Sequence, residues 1–386
     1  MKLSTRVLVV AIALGATALN LNPQDRPDVN AAWDPEKAAQ YLDDRMDMWL
    51  DRATKLKTGE GKTSCISCHA VVPYLLARPA LRKAMRVTNP TPQEVKLLAA
   101  IAQRVDKNAS QESLYGSQPG QARGTEAVLN ALILALEDAR QNRQQVSELT
   151  RKAFGQLWES QRPDGAWDWM NTGAEPDESA DAQYYGAALA AIAVGAAPGL
   201  IKSNEGDTAS HIDKLRAYLN GNYAAQNLYN RVWALLASTR LAGLLSPEQR
   251  QSLRAELQAN QNDDGGWSLY KLGPWRWSKT APPFAPPGKP DLSLLAKSDG
   301  YATGLIAFVL RQAGSPSGDP TLKKATDWLK ANQKEFQVDS HHWKLWRAHS
   351  LNHDHENGGP RGELWNRMVM SDMATAFAVL ALLPAD

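Results

Sequence analysis

A pattern of glutamine, aspartate, glycine and tryptophan stands twice in the sequence with identical spacing, and it limits the fold more than any other feature. Its copies are Gln161-x-x-Asp164-Gly165-x-Trp167 and Gln261-x-x-Asp264-Gly265-x-Trp267. Each copy ends an amphipathic stretch and leads into an apolar one, the first starting near Asp181 and the second at Ser298-Asp299. A third copy runs Trp328-Leu329-Lys330-Ala331-Asn332-Gln333, passes through a degenerate loop, and opens its apolar stretch at Ser371-Asp372-Met373-Ala374-Thr375-Ala376. Fainter pairs occupy 36–57 with 71–85, 93–107 with 125–136, and 212–219 with 228–241. One helical hairpin recurring at a long period is the mark of a repeat architecture.

From Asp34 onward apolar residues recur at three- and four-residue spacing, and no stretch alternates with period two as a sheet would require. The expected class is therefore all-α. In each pair the first stretch is charged on one face while the second is small and apolar, and a helix apolar all round must be buried. That asymmetry predicts an outer and an inner layer, and about six such hairpins would close into an (α/α)6 toroid, which leaves no exposed end.

The two intact copies resemble the QW motifs of squalene-hopene cyclases and related α/α-toroid proteins, including protein prenyltransferase β-subunits. The resemblance covers 146–383 well and the first two hairpins only by repeat order. It implies that the glutamine and tryptophan staple a helix end to the neighbouring hairpin, which concerns architecture and not chemistry. It also raises the alternative of a terpenoid-cyclase-like enzyme, or an apolar-ligand-binding toroid without any prosthetic group. The family's Asp-x-Asp-Asp acid is missing, and its zinc triad of Asp, Cys and His has no matching context. Asp43-Asp44-x-x-Asp47 matches the aspartate-rich sequence of ionising terpene synthases, but its place on a charged helix face predicts a solvated surface. Asp181, Asp299 and Asp372 are expected to cap inner helices. Of the 13 tryptophans, Trp167 and Trp267 are expected staples, whereas Trp275, Trp277, Trp343 and Trp346 in long loops, near the proline-rich 282–290, are candidates to meet a small apolar substrate.

Both cysteines of the chain fall in one short segment, Cys65-Ile66-Ser67-Cys68-His69. Two thiols at this spacing suit addition to the two vinyl groups of one covalent haem c, with His69 as the proximal iron ligand. A thiol redox pair at the start of an apolar helix, and a metal site, remain open alternatives. In a closed ring the first and last hairpins are neighbours, so the loop between Gln333 and Met370 would face the segment. It carries His341, His342, His349, His353 and His355, five of the 7 histidines, and these are the candidate distal ligands together with Met368 and Met370. A rival parsing makes 35–118 a separate small cytochrome domain with Met85 as ligand.

Lys2 and Arg6, an apolar run over 7–14, and Ala16-Thr17-Ala18 read as a signal peptide over 1–18, followed by a flexible lead-in over 19–34 and the toroid over 35–386. A periplasmic or secreted location follows as an expectation, with no integral membrane span in the mature chain. The balance of 43 basic and 41 acidic residues, net +2, gives no reason to expect nucleic acid as a partner. A redox partner protein is expected if haem is bound, and the sequence does not say which.

Overall fold

Two outer-layer helices begin with the strongest start signals a chain offers. Thr91 and Ser246 each precede a proline, and each forms a capping box, with Glu94 and Gln249 respectively returning a bond to the cap. These boxes open α3 (Pro92–Asp106) and α9 (Pro247–Ala259). Ser147 caps α5 (Glu148–Glu159) and Asp319 caps α12 (Pro320–Ala331), again with proline at the first turn of the latter. Between them stand α1 (Pro35–Lys55) and α7 (Thr208–Asn222). In the computed structural model the residues described are 33–55, 57–58, 63–64, 70–107, 119–202, 207–275, 291–349, 351 and 368–384. They belong to a single compact unit.

The alternate helices are α2 (Val71–Ala84), α4 (Pro119–Arg140), α6 (Ala182–Ala196), α8 (Leu228–Ser238), α11 (Gly300–Gln312) and α13 (Val369–Leu382), with a one-turn α10 (Leu292–Leu295) ahead of α11. Their composition explains their position: in α6 every residue from Tyr184 to Val194 is buried, and so is every residue of α13 from Val369 to Ala381. α2 packs on α4, α4 on α6, α6 on α8, α8 on α11, α11 on α13, and α13 packs back on α2. The tightest of these approaches needs a missing side chain, because a Cβ at Gly304 would stand 2.5 Å from the Ala378 amide nitrogen. The charged helices lie against them: α1 on α2 and α13, α5 on α4, α7 on α6, α9 on α8, and α12 on α11 and α13. The molecule is mostly helical, as expected.

The repeated motif acts as a staple. Trp167 and Trp267 donate through Nε1 to the carbonyls of Leu157 and Leu257 at 2.8 Å, closing the C-terminal end of the preceding helix. Gln161 and Gln261 donate to the first turns of the next outer helices, at His211 O (3.0 Å) and Thr321 O (2.9 Å). Gly165 and Gly265 turn the loop with φ of 94° and 92°, and a Cβ at Gly165 would stand 2.2 Å from Lys214 O. The third copy is complete too. Gln333 bonds both main-chain groups of Asp34, just before α1, and Trp346 donates to Leu329 O at 2.7 Å. Its tryptophan is displaced along the chain by a β-hairpin, β3 (Lys334–Val338) and β4 (His341–Leu345), turned at Asp339 with φ 50°. A second, minimal hairpin, β1 (Lys57–Thr58) with β2 (Thr63–Ser64), follows α1.

The hairpins correct the expectation of helices and loops alone. The period-two signal in β4 is confined to Trp343 and Leu345 facing in around Lys344, too short to stand out against the helical pattern. Among the described residues no helix is long and apolar enough to cross a membrane.

Candidate functional site

Cys65, Cys68 and His69 lie outside the described residues, as do Trp277, His353 and His355 and the expected signal segment. The elements that bracket the cysteine segment are described: β2 ends at Ser64, and α2 begins at Val71 after the buried Ala70. α2 connects to one turn of α1. Asp43 accepts from Tyr74 (2.8 Å) and, in a forked pair, from Arg78 (2.9 Å twice), which fixes the first turns of α2. Burial, with Asp43 close by, holds the Tyr74 phenol well above its ordinary range.

The neighbouring residues of that turn hold the far end of the chain. Arg45 meets Asp372 in a second fork at 2.7 and 2.9 Å, and Tyr41 donates to the same carboxylate at 2.7 Å. Asp44 accepts from Trp343 Nε1 at 2.9 Å, which docks β4. So one turn, 41–45, brings together the start of α2, the start of α13 and the hairpin that carries His341 and His342. The rival parsing of 35–118 as a separate unit does not describe this arrangement, since α1 and α2 both pack on α13. Met85 is the C-terminal cap of α2.

The distal candidates differ in surroundings. His341 lies against the Trp343 ring, centroids 4.7 Å apart, and its buried Nδ1 has no hydrogen-bond partner. A buried imidazole nitrogen with no protein partner is a group that a ligand would satisfy. His342 is exposed and 3.4 Å from Glu335. His349 is half-buried, and burial, reinforced by Arg347 and Lys297, lowers its basicity so that it stays neutral at pH 7. Its neighbour Arg347 accepts from Gly300 at 2.7 Å, which ties this part of the segment to α11 and not to α1. Met368 and Met370 are buried at the start of α13. No group of three or more His, Cys, Asp or Glu able to hold a metal ion occurs among the described residues.

Several carboxylates and tryptophans have other roles than expected. Asp43 and Asp44 are not a solvated face but clasps, as above, and Asp47 meets Gln93 at 2.8 Å. Asp299 caps α11 through Tyr301 N and Ala302 N, as expected, and its second oxygen accepts from Leu269 N at 2.6 Å. Asp181 stands at the cap position of α6 without a side-chain cap bond, and Asp372 lies inside α13, bonded to Arg45 instead. Trp346 and Trp343 are anchors, and Trp275 donates to Tyr270 O at 3.0 Å. Each indole N–H finds a protein oxygen because burying it unpaired is costly.

One cluster escaped the sequence reading. Where the first turns of α6, α8 and α11 converge, Tyr229 donates to the buried Asp177, and the Tyr229 and Tyr301 hydroxyls share a bond of 2.7 Å. Trp169 donates to Asp177 O at 2.8 Å. Tyr185, Trp233, Trp275 and Phe377 wall the cluster, with centroid separations from 4.8 to 5.6 Å. Burial pushes Asp177, Glu175 and Asp299 up to about 7 and raises both tyrosines. Asp177 Oδ2 and Trp233 Nε1 are buried with no hydrogen-bond partner. The only advance signal was three acids close together, Glu175, Asp177 and Glu178, in a connector whose mate in the second repeat has none at that place.

The chain matches no model of a known protein family, and no curated protein matches it.

Proposed function

We propose that this chain is an exported (α/α)6 toroid that binds one covalent haem c through Cys65 and Cys68, with His69 as proximal ligand, and works in electron transfer or haem-dependent oxidation. The observation that carries the reading is the segment Cys65-x-x-Cys68-His69, which contains both cysteines of the chain and directly precedes the buried start of α2. The succession of inner-helix contacts that returns from α13 to α2 supports the toroid. Haem would supply one-electron chemistry at its iron, tuned by the second axial ligand and by burial.

The chain's own residues have three tasks in this reading. Arg45, Asp43 and Asp44 hold the start of α2, the start of α13 and the hairpin that carries His341 on one turn of α1. His341 is the favoured distal ligand because its Nδ1 is buried and unpartnered. Asp177 and Glu175, which burial pushes up to about 7, would change protonation near neutral pH.

The test is a pyridine haemochrome spectrum of protein expressed with its export segment in a host that matures c-type cytochromes. A covalent c-type signature that disappears in the Cys65→Ser, Cys68→Ser double variant supports the reading; colourless wild-type protein overturns it. With haem established, His341→Ala shifts the Soret band and the ferric spin state, whereas His342→Ala leaves both unchanged.

A further inference from the structure

Away from the aromatic interior, a cleft of about 350 Å³ opens between the start of α6 and the junction of α7 with α8. Its volume is at the lower end of the range of small-molecule sites, about 300–1,000 Å³. We propose that it binds a small neutral saccharide.

The lining chemistry carries the assignment. Amide side chains dominate it, and each has a nitrogen committed to the protein itself. Asn230, buried at 2% exposure, donates to Asp181 O and to Gln226 Oε1, both at 2.9 Å. Gln226 donates to Asn222 O at 3.0 Å, Asn222 to Tyr218 O at 2.8 Å, and Gln183 to Trp167 O at 3.3 Å. The amides are thereby held in place before any ligand arrives, which lowers the ordering cost of binding. The cleft thus presents amide N–H and carbonyl groups together, with the Asp181 carboxylate beside them.

Among the described residues no lysine, arginine or histidine lines the cleft, so they offer no cation to a phosphate or a carboxylate ligand. Two tyrosines complete it. Tyr184 is buried, its hydroxyl bonded to Leu219 O at 2.9 Å, and Tyr218 stands beside it with ring centroids 6.1 Å apart. An aromatic face beside fixed amide groups matches a pyranose, whose C–H face stacks on a ring while its hydroxyls donate and accept outward.

The experiment is saturation-transfer NMR on the full chain with glucose, N-acetylglucosamine and cellobiose, with tetramethylammonium as a cationic control. We expect transfer to the ring protons of at least one sugar, with an affinity near 1 mM, an order typical of shallow polar sites. Tyr218→Phe, which keeps the ring, leaves it nearly unchanged, whereas Tyr218→Ala and Asn222→Ala, at unchanged helical circular dichroism, weaken it at least tenfold. No transfer to any sugar overturns the proposal, as does transfer to tetramethylammonium alone, or sugar binding that is indifferent to Tyr218→Ala and Asn222→Ala. The cleft does not depend on the haem reading, and the haem content of the same samples separates the failure of one from that of the other.

Discussion

The second repeat and the closing repeat use the same staple under opposite conditions. In the second, a tight turn separates Gln261 from Trp267, which reaches back to Leu257 O while Gln261 reaches forward to Thr321 O. In the closing repeat, β3 and β4 intervene between Gln333 and Trp346, yet the two bonds form again, to Asp34 and to Leu329. The staple survives because each bond is made at an end of the loop and to main-chain atoms, so the length between is free to vary. The freedom is used: the insertion carries His341 and His342, and it docks through Trp343 on Asp44 of α1. Where the second repeat spends its loop on packing, the closing repeat gains a surface for a site.

The comparison breaks most readily at the closure. Arg45→Ala leaves Asp372 buried without its guanidinium, and a loss of about 3–5 kcal/mol is expected in urea unfolding, as for other broken buried pairs. The matched change in the second repeat, Arg231→Ala, removes a half-exposed pair with Glu256 and costs well under half as much. Equal losses at the two sites would mean that the closure is no more dependent on its ion pair than the rest.

Next comes pH. Asp177, with a folded value of about 7 against an ordinary 3.8, binds more protons folded than unfolded between those values. Stability therefore falls as pH rises from about 4 and the loss is complete above about 7, by at most about 4 kcal/mol for this group. Asp177→Asn flattens the fall between about pH 4 and pH 7, whereas His349→Asn in the closing segment leaves it in place. An unchanged slope in Asp177→Asn would show that the acid ionises freely in the folded protein.

Smaller effects sharpen the equivalence of the staples. Trp267→Phe and Trp346→Phe each remove one buried hydrogen bond, about 1 kcal/mol each. Gln333→Ala loses two bonds to Asp34 and about 1–2 kcal/mol, read as a lower urea midpoint. If Trp346→Phe were neutral while Trp267→Phe was not, the third copy would be a resemblance in geometry without a share in stability.

Much of the architecture was legible because it is local. The alternation of charged and small apolar helices follows from composition, and the motif works through a positive-φ glycine and a bond reaching back ten residues, from Trp167 to Leu157. Trp346 was misread as a substrate contact because its glutamine stands across a hairpin. Asp372 was misread as a cap because Arg45 lies at the opposite end of the chain, and Asp177 passed unnoticed because Tyr229 is on another helix. The single turn 41–45 that joins the start of α2, the start of α13 and the histidine-bearing hairpin had no signal in the sequence, because its partners lie far along the chain.

By itself the sequence determined the helical period, which helices could be buried on every side, and where both thiols of the chain stand. Only the tertiary structure decided which carboxylates are clasps and which are poised near neutrality. The reason is physical: periodicity and propensity act within a few residues, whereas the worth of a charge depends on its burial and on partners that folding brings from far along the chain.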